Sequence, residues 1–179
     1  MKEVTSSDGN PHTLTVCALL RGDRLDLADR CLSSLLPHFQ QDSPCVNLRI
    51  GLDAVGRETR DYVEELQYSG INHEVFEQSS RVGKYAMMRT MFYDKPLESS
   101  HVMWFDDTAC CAELATNMMS AALRVLGDNA LLGQRWSAKL WPEQLAWAKA
   151  QPWFTGKTAF PGMPLAFPGG AWWLAKTEL

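Results

Sequence analysis

No apolar run in the 179 residues approaches the length needed to cross a bilayer, about 20 residues. Nor is there a surplus of positive charge: 17 Lys and Arg stand against 21 Asp and Glu, a formal net charge of −4. A chain without a basic footprint is not built to grip nucleic acid or an anionic membrane surface. The five cysteines (Cys17, Cys31, Cys45, Cys110 and Cys111) form an odd set with no Cys-x-x-Cys pair. That speaks against a structural zinc site or a disulfide framework, and a cytoplasmic location is expected. The polar start, Met1 to Asn10, has no signal-peptide core, and residues 1–12 read as a flexible arm. Repeats and low-complexity linkers are missing too.

What is present suits one ordinary soluble domain, with 46% hydrophobic and 21% charged residues. The runs Leu14–Leu20, Val46–Leu52 and Ile71–Phe76 read as strands, bounded by turn residues. Between them, apolar residues recur at helical spacing over residues 26–39, with Pro37 limiting the helix, and over 58–68, with Gly70 as the stop. Residues 83–93 read as a Met-rich helix, 112–126 as another, and 130–136 as a further strand. Alternating strands and helices imply an α/β fold, a mostly parallel sheet with helices on both faces. Beyond Asn129 the chain turns aromatic and Pro-rich, and six of its seven tryptophans lie between Trp136 and Trp173. That region reads as loops and a binding surface. The thiols of Cys110 and Cys111 are expected to be buried, and Met87, Met88 and Met91 to pack in the core.

The most informative stretch is His101-Val102-Met103-Trp104-Phe105-Asp106-Asp107-Thr108. An apolar run with no internal turn residue ends in two carboxylates and a hydroxyl. In an α/β protein such a strand delivers acids to the carboxyl edge of the sheet, where ligands bind. Neighbouring side chains on a strand point to opposite faces, so Asp106 and Asp107 can serve one ligand only if the strand breaks there. One acid can then meet a sugar hydroxyl while the next takes Mg²⁺ or Mn²⁺, hard cations that favour oxygen. The plainer alternative is an acidic strand end that caps the next helix.

Five segments, in order, resemble family 2 glycosyltransferases, which have the GT-A nucleotide-sugar fold. Asp23 to Leu35 is similar to the family's first loop and helix, and Asp53 with Glu58 to Leu66 to its base-recognising acid and following helix. Arg81-Val82-Gly83-Lys84 resembles its Asn-x-Gly-Lys turn, Phe105-Asp106-Asp107-Thr108 sits where its Asp-x-Asp motif lies, and Pro168-Gly169-Gly170-Ala171-Trp172-Trp173 resembles its acceptor-side Gly-Gly-Ala turn. The resemblance implies a GT-A-like Rossmann-type domain over residues 13–179, divided into a nucleotide-sugar half (13–129) and an acceptor half (130–179) that is incomplete at its C-terminal end. It implies inverting, metal-dependent transfer from a nucleoside-diphosphate sugar, expected to be a UDP-sugar, to a carbohydrate or lipid-linked acceptor. Asp53, Arg81, Lys84 and Asp106 are then the donor-binding residues, Asp107 the ligand of Mn²⁺ or Mg²⁺, and Gly169, Gly170 and Trp172 the acceptor side. Three departures stand out. Thr108 replaces a third acid, Ala54-Val55-Gly56 replaces the usual Ser after the base-recognising acid, and the only acid after the Gly-Gly-Ala turn is Glu178, too close to it to be assigned as the catalytic base. A donor-binding module without catalysis and a sugar nucleotidyltransferase are the rival expectations.

Overall fold

Every residue from Leu14 to Leu20 is buried, and the side chains pass alternately into two hydrophobic layers. Leu14, Val16, Ala18 and Leu20 enter one layer, Cys17 and Leu19 the other. A strand buried on both faces belongs in the middle of a sheet. Accordingly β1 (Leu14–Arg21) pairs in parallel with β2 (Val46–Asp53) on one side and β4 (His101–Asp106) on the other. The computed structural model describes residues 13–40, 46–71, 73–110, 131–137, 146, 150 and 166–177. Within them β3 (His73–Gln78) extends the sheet in parallel beyond β2, while β6 (Ala166–Lys176) runs antiparallel between β4 and β5 (Leu131–Ser137). The order is β3-β2-β1-β4-β6-β5.

Helices cover both faces, as the alternation implies. On one, α1 (Leu25–Leu35) buries Leu27, Ala28, Cys31, Leu32 and Leu35, a stripe of helical period, and α3 (Arg57–Glu65) adds Val63 to the same layer. On the other, α4 (Lys84–Arg89) and the π-helical turn that continues it (Thr90–Asp94) press Met87 and Met91 against Cys17, Leu19 and Trp104. The helix comes this close because β2 has a glycine beneath it. A Cβ on Gly51 would lie 2.8 Å from the Met91 sulfur and 3.1 Å from the Met87 methyl.

Several boundaries differ from expectation for identifiable reasons. The first helix ends at Leu35, and Pro37 opens the short α2 (Pro37–Gln40), since a proline fits the first position of a helix but not its interior. The third strand begins at His73 rather than Ile71, because Leu66–Ser69 winds into a 3₁₀ turn and Gly70, at φ 78°, turns the chain away first. Cys110 is exposed rather than buried; Cys111 and the expected helix over 112–126 lie outside the described residues. The largest correction falls at the C-terminal end. Residues 166–176, expected as loop and turn, form a strand inside the sheet. The turn signals of Pro168-Gly169-Gly170 mark an irregularity in that strand. Toward β5, Gln134 pairs with Gly169 while its neighbour Gly133 pairs with Trp173, so residues 170–172 bulge out of register.

A buried cation fastens the π-helical turn after α4, and the segment that follows it, to the sheet. Arg49, in mid-β2 and 7% exposed, donates through its guanidinium to the carbonyls of Met91, Lys95 (2.7 Å) and Pro96 (3.1 Å), and pairs with Glu74 at 3.1 Å. Its removal leaves three carbonyls short of a donor, each a cost of about 1–3 kcal/mol if it stays dry. Arg49→Met should therefore lower stability in urea titration by at least about 2 kcal/mol, the loss being smaller than the sum because water can enter. A change below about 0.5 kcal/mol would show the fastening to be dispensable.

Candidate functional site

Three parallel strands end together at one edge: β1 at Arg21, β2 at Asp53 and β4 at Asp106. The strand order reverses between β1 and β4, which in open α/β sheets is where a crevice forms beyond the carboxyl ends. β4 stops at Asp106, where a turn closed by the Ala109 N–H on the Asp106 carbonyl (2.8 Å) takes over. The strand does break between the two acids, so the alternation that would separate them no longer holds.

Asp53 is fully buried. Its Oδ1 accepts the Val82 N–H at 2.7 Å and its Oδ2 the Gly83 N–H at 2.9 Å. The Arg81-Val82-Gly83-Lys84 turn is thereby tied to the end of β2. Gly83 is required in it, because φ 87° with ψ 168° is a conformation open to little but glycine. Ala54, directly after Asp53, has φ 53° without being glycine, and its N–H donates to the Gln78 carbonyl at 2.9 Å. A left-handed alanine costs about 1 kcal/mol, a strain located where β2 hands over to the site.

The tied turn launches α4 with Lys84 as its first residue, and Lys84 Nζ reaches Asp106 Oδ2 at 3.0 Å. The other oxygen of Asp106 accepts the Trp104 indole N–H at 2.8 Å, two residues back on the same face of β4. Lys84 Nζ also lies 5.6 Å from the centre of the Trp104 ring, which stacks on Trp173 at 6.2 Å. Asp106 is thus a fixed acceptor with a cation beside it.

Asp107 is buried more deeply, at 2% of its side chain, and Oδ1 takes the Arg21 guanidinium at 3.0 Å. Among the described residues, Oδ2 has no hydrogen-bond partner. Arg21, 29% exposed, comes from the end of β1. Burial works against its charge, yet the hydrogen bond to Asp107 and the charges of Asp107, Asp106 and Asp53 outweigh it and raise the guanidinium pKa above its ordinary value. Arg21 is the site residue that sequence reasoning passed over. In the sequence it looks like a strand-breaking loop residue, and its role comes from β1 lying beside β4. Arg81 and Thr108 are exposed at the edge. Gly169 and Gly170 lie in β6, and Trp172, paired with Phe105 of β4, is half-buried against the α1 side of the core while Trp173 goes to the other layer. Glu178 lies outside the described residues.

Among the described residues no three His, Cys, Asp or Glu side chains converge as a metal cage. The donor set nevertheless suits a hard divalent cation in one respect: among the described residues, the buried Oδ2 of Asp107 is a carboxylate oxygen without a hydrogen-bond partner. Mg²⁺ sites often take only one or two carboxylates, the phosphates of the substrate completing the shell.

No protein-family model matches the chain, and no curated protein sequence matches it significantly. Solved structures do. A mannosyltransferase from Pyrobaculum calidifontis, in complex with GDP-Man and Mn²⁺, superposes with a TM-score of 0.58 at 14% identity, covering 74% of this chain and 38% of its own. The galactosyltransferase LgtC, in complex with donor and acceptor sugar analogs, gives 0.57 at 11% identity, over 92% of this chain and 58% of its own. A 4-diphosphocytidyl-2C-methyl-D-erythritol synthase from Anaerococcus prevotii gives 0.53 at 11% identity, over 93% and 72%. The chain has the α/β fold of GT-A-type glycosyltransferases, which a nucleotidyltransferase shares. It spans less than two thirds of the length of the mannosyltransferase and of LgtC.

Two outcomes test the tied turn. Asp53→Ala should speed hydrogen exchange at Val82 and Gly83 and lower stability by about 2 kcal/mol, since two N–H groups lose a charged acceptor. Ala54→Gly should raise stability by up to about 1 kcal/mol, the relieved strain exceeding the added chain entropy. Unchanged exchange in the first variant, or a loss of stability in the second, contradicts the geometry.

Proposed function

We propose that the chain binds a nucleoside-diphosphate sugar at this edge and transfers the sugar, with inversion, to a carbohydrate or lipid-linked acceptor. The observation that carries the reading is the meeting of Asp106, Asp107, Lys84 and Arg21 at the crevice between β1 and β4, with one buried carboxylate oxygen without a partner among the described residues. Asp107 would hold Mn²⁺ or Mg²⁺ through that oxygen. A divalent cation there supplies neutralisation of the charge that builds on a departing diphosphate.

The chain's own residues do the remaining work. Asp106, fixed by Trp104 and Lys84, presents acceptor lone pairs for a sugar hydroxyl of the donor. Lys84 and Arg81 bring positive charge to the diphosphate from the turn that Asp53 holds in place, so Asp53 serves the base side of the pocket by ordering its wall. Gly169, Gly170 and Trp172 belong to the acceptor side in this reading, where the bulge of β6 opens backbone groups that a regular strand would pair. Support comes from the shared fold of the mannosyltransferase and of LgtC, both solved with donor or donor analog. The fold is equally compatible with a sugar nucleotidyltransferase, favoured by the 72% coverage of the Anaerococcus enzyme, and pyrophosphate release from a nucleoside triphosphate would reveal it.

Titration calorimetry of UDP, GDP and their sugar conjugates, with Mn²⁺ and then with excess chelator, tests the reading. Metal-dependent binding of one nucleotide is expected, and Asp107→Ala should abolish that dependence. Equal affinity in the variant, with Mn²⁺ present, would sink the assignment of Asp107; no binding under any condition would sink the donor site.

A further inference from the structure

The Arg21–Asp107 pair creates a difficulty for any cation. The Asp107 side chain is 2% exposed and the Arg21 side chain paired with it 29%, so the arginine is the more solvent-accessible partner. A divalent ion taken up by Oδ2 alone would sit close to that positive charge, because Arg21 holds the other oxygen of the same carboxylate. A diphosphate meets the opposite situation. Arg21 is one of the two cations paired at the edge, and its planar fork of donors matches phosphate oxygens better than an ammonium does. Three carboxylates (Asp53, Asp106, Asp107) act on Arg21, and Lys84 pairs with Asp106, so even with the exposed Arg81 counted the edge carries no net positive charge. A dianionic or trianionic diphosphate therefore binds poorly without a further cation, and the cation binds poorly while Arg21 covers Asp107.

We propose that Arg21 is a latch on the cation position: it closes Asp107 against divalent ions until a nucleoside diphosphate draws the guanidinium onto its phosphates, after which Asp107 takes the metal. Arg21 is then a positioning residue that makes metal and nucleotide bind as a linked pair. By linkage the enhancement is reciprocal, each ligand tightening the other by the same factor. The proposal rests on the reading of this edge as a diphosphate site.

The test compares Mn²⁺ affinity, by calorimetry and by thermal shift, in the wild-type chain and in Arg21→Gln, with and without UDP or GDP. In the wild type, Mn²⁺ alone should bind weakly and at least about tenfold more tightly with the nucleotide, in the usual range of such couplings. In Arg21→Gln, Mn²⁺ alone should bind at least about tenfold more tightly than in the wild type and raise the melting temperature, since the cation replaces a lost partner of a buried carboxylate. The nucleotide should then change Mn²⁺ affinity less than about threefold, having no latch left to open. Arg21→Lys, which keeps the charge in place should the glutamine variant fail to fold, should show the same gain at smaller amplitude because an ammonium holds the carboxylate less rigidly. Nucleotide binding with Mn²⁺ affinity unaltered in both variants overturns the latch and leaves the donor site standing. A gain in Mn²⁺ affinity with no nucleotide binding in any variant overturns the donor site and, with it, the trigger proposed for the latch.

Discussion

Two consecutive carboxylates at the end of a buried strand are tolerated only if positive groups from elsewhere come to meet them. A single unpaired charge in such surroundings is costly enough that it would neutralise or refuse to fold inward. Here the two acids are met from different directions, Asp106 by Lys84 from α4 and Asp107 by Arg21 from β1. Each cation is available only because another feature delivers it. Lys84 depends on the turn before it, which depends on Asp53 accepting two backbone N–H groups and on Gly83 taking a dihedral pair closed to other residues. Arg21 depends on β1 lying between β2 and β4, which the alternating apolar run of Leu14 to Leu20 secures. The edge is one electrostatic unit assembled from three strands and a helix.

That dependence gives Asp53 a role different in kind from the one its place in the chain suggests. Both of its oxygens are occupied by the backbone, and none of its surface meets solvent. What it holds directly is the turn from Arg81 to Lys84. The neighbouring Ala54 is held left-handed while its N–H bonds across to the Gln78 carbonyl at the end of β3, so the tie between adjacent strand ends carries the strain. Strain is tolerated where the surrounding bonds over-determine the backbone, and strand ends beside a binding crevice are such places.

Much of this was legible in the sequence, for reasons that also mark where legibility stops. The strands at Leu14, Val46 and His101 announce themselves as short apolar runs bounded by turn residues, and the Asp-Asp pair declares an edge because apolar strands do not end that way by chance. The Arg-Val-Gly-Lys turn is readable as glycine freedom next to a cation. Arg21 and Arg49 were not readable. Each is a single charge in or beside an apolar run, and its meaning lies in which strand or helix end it faces, a fact of topology rather than of local pattern. The strand at 166–176 misled in the opposite way, because proline and paired glycines are the ordinary marks of a turn. They are also the marks of a bulge, and only the pairing of Gly133 with Trp173 and Gln134 with Gly169 distinguishes the two.

The bulge also explains how a strand so poor in ordinary strand formers can hold an interior position. On the side facing β4 the pairing is continuous, from Lys176 opposite His101 to Trp172 opposite Phe105, and Trp173 lies flat on Trp104 with Phe92 edge-on to both. That aromatic cluster holds the strand where Gly169 and Gly170 cannot, since glycine contributes no side chain to pack. The same Trp104 donates its indole N–H to Asp106. One side chain therefore joins the packing that places β6 in the sheet to the hydrogen bonding that orients an acid at its edge. A substitution that disturbed the cluster, even at Trp173, would be felt at Asp106 through Trp104, with no change to any charged residue of the site.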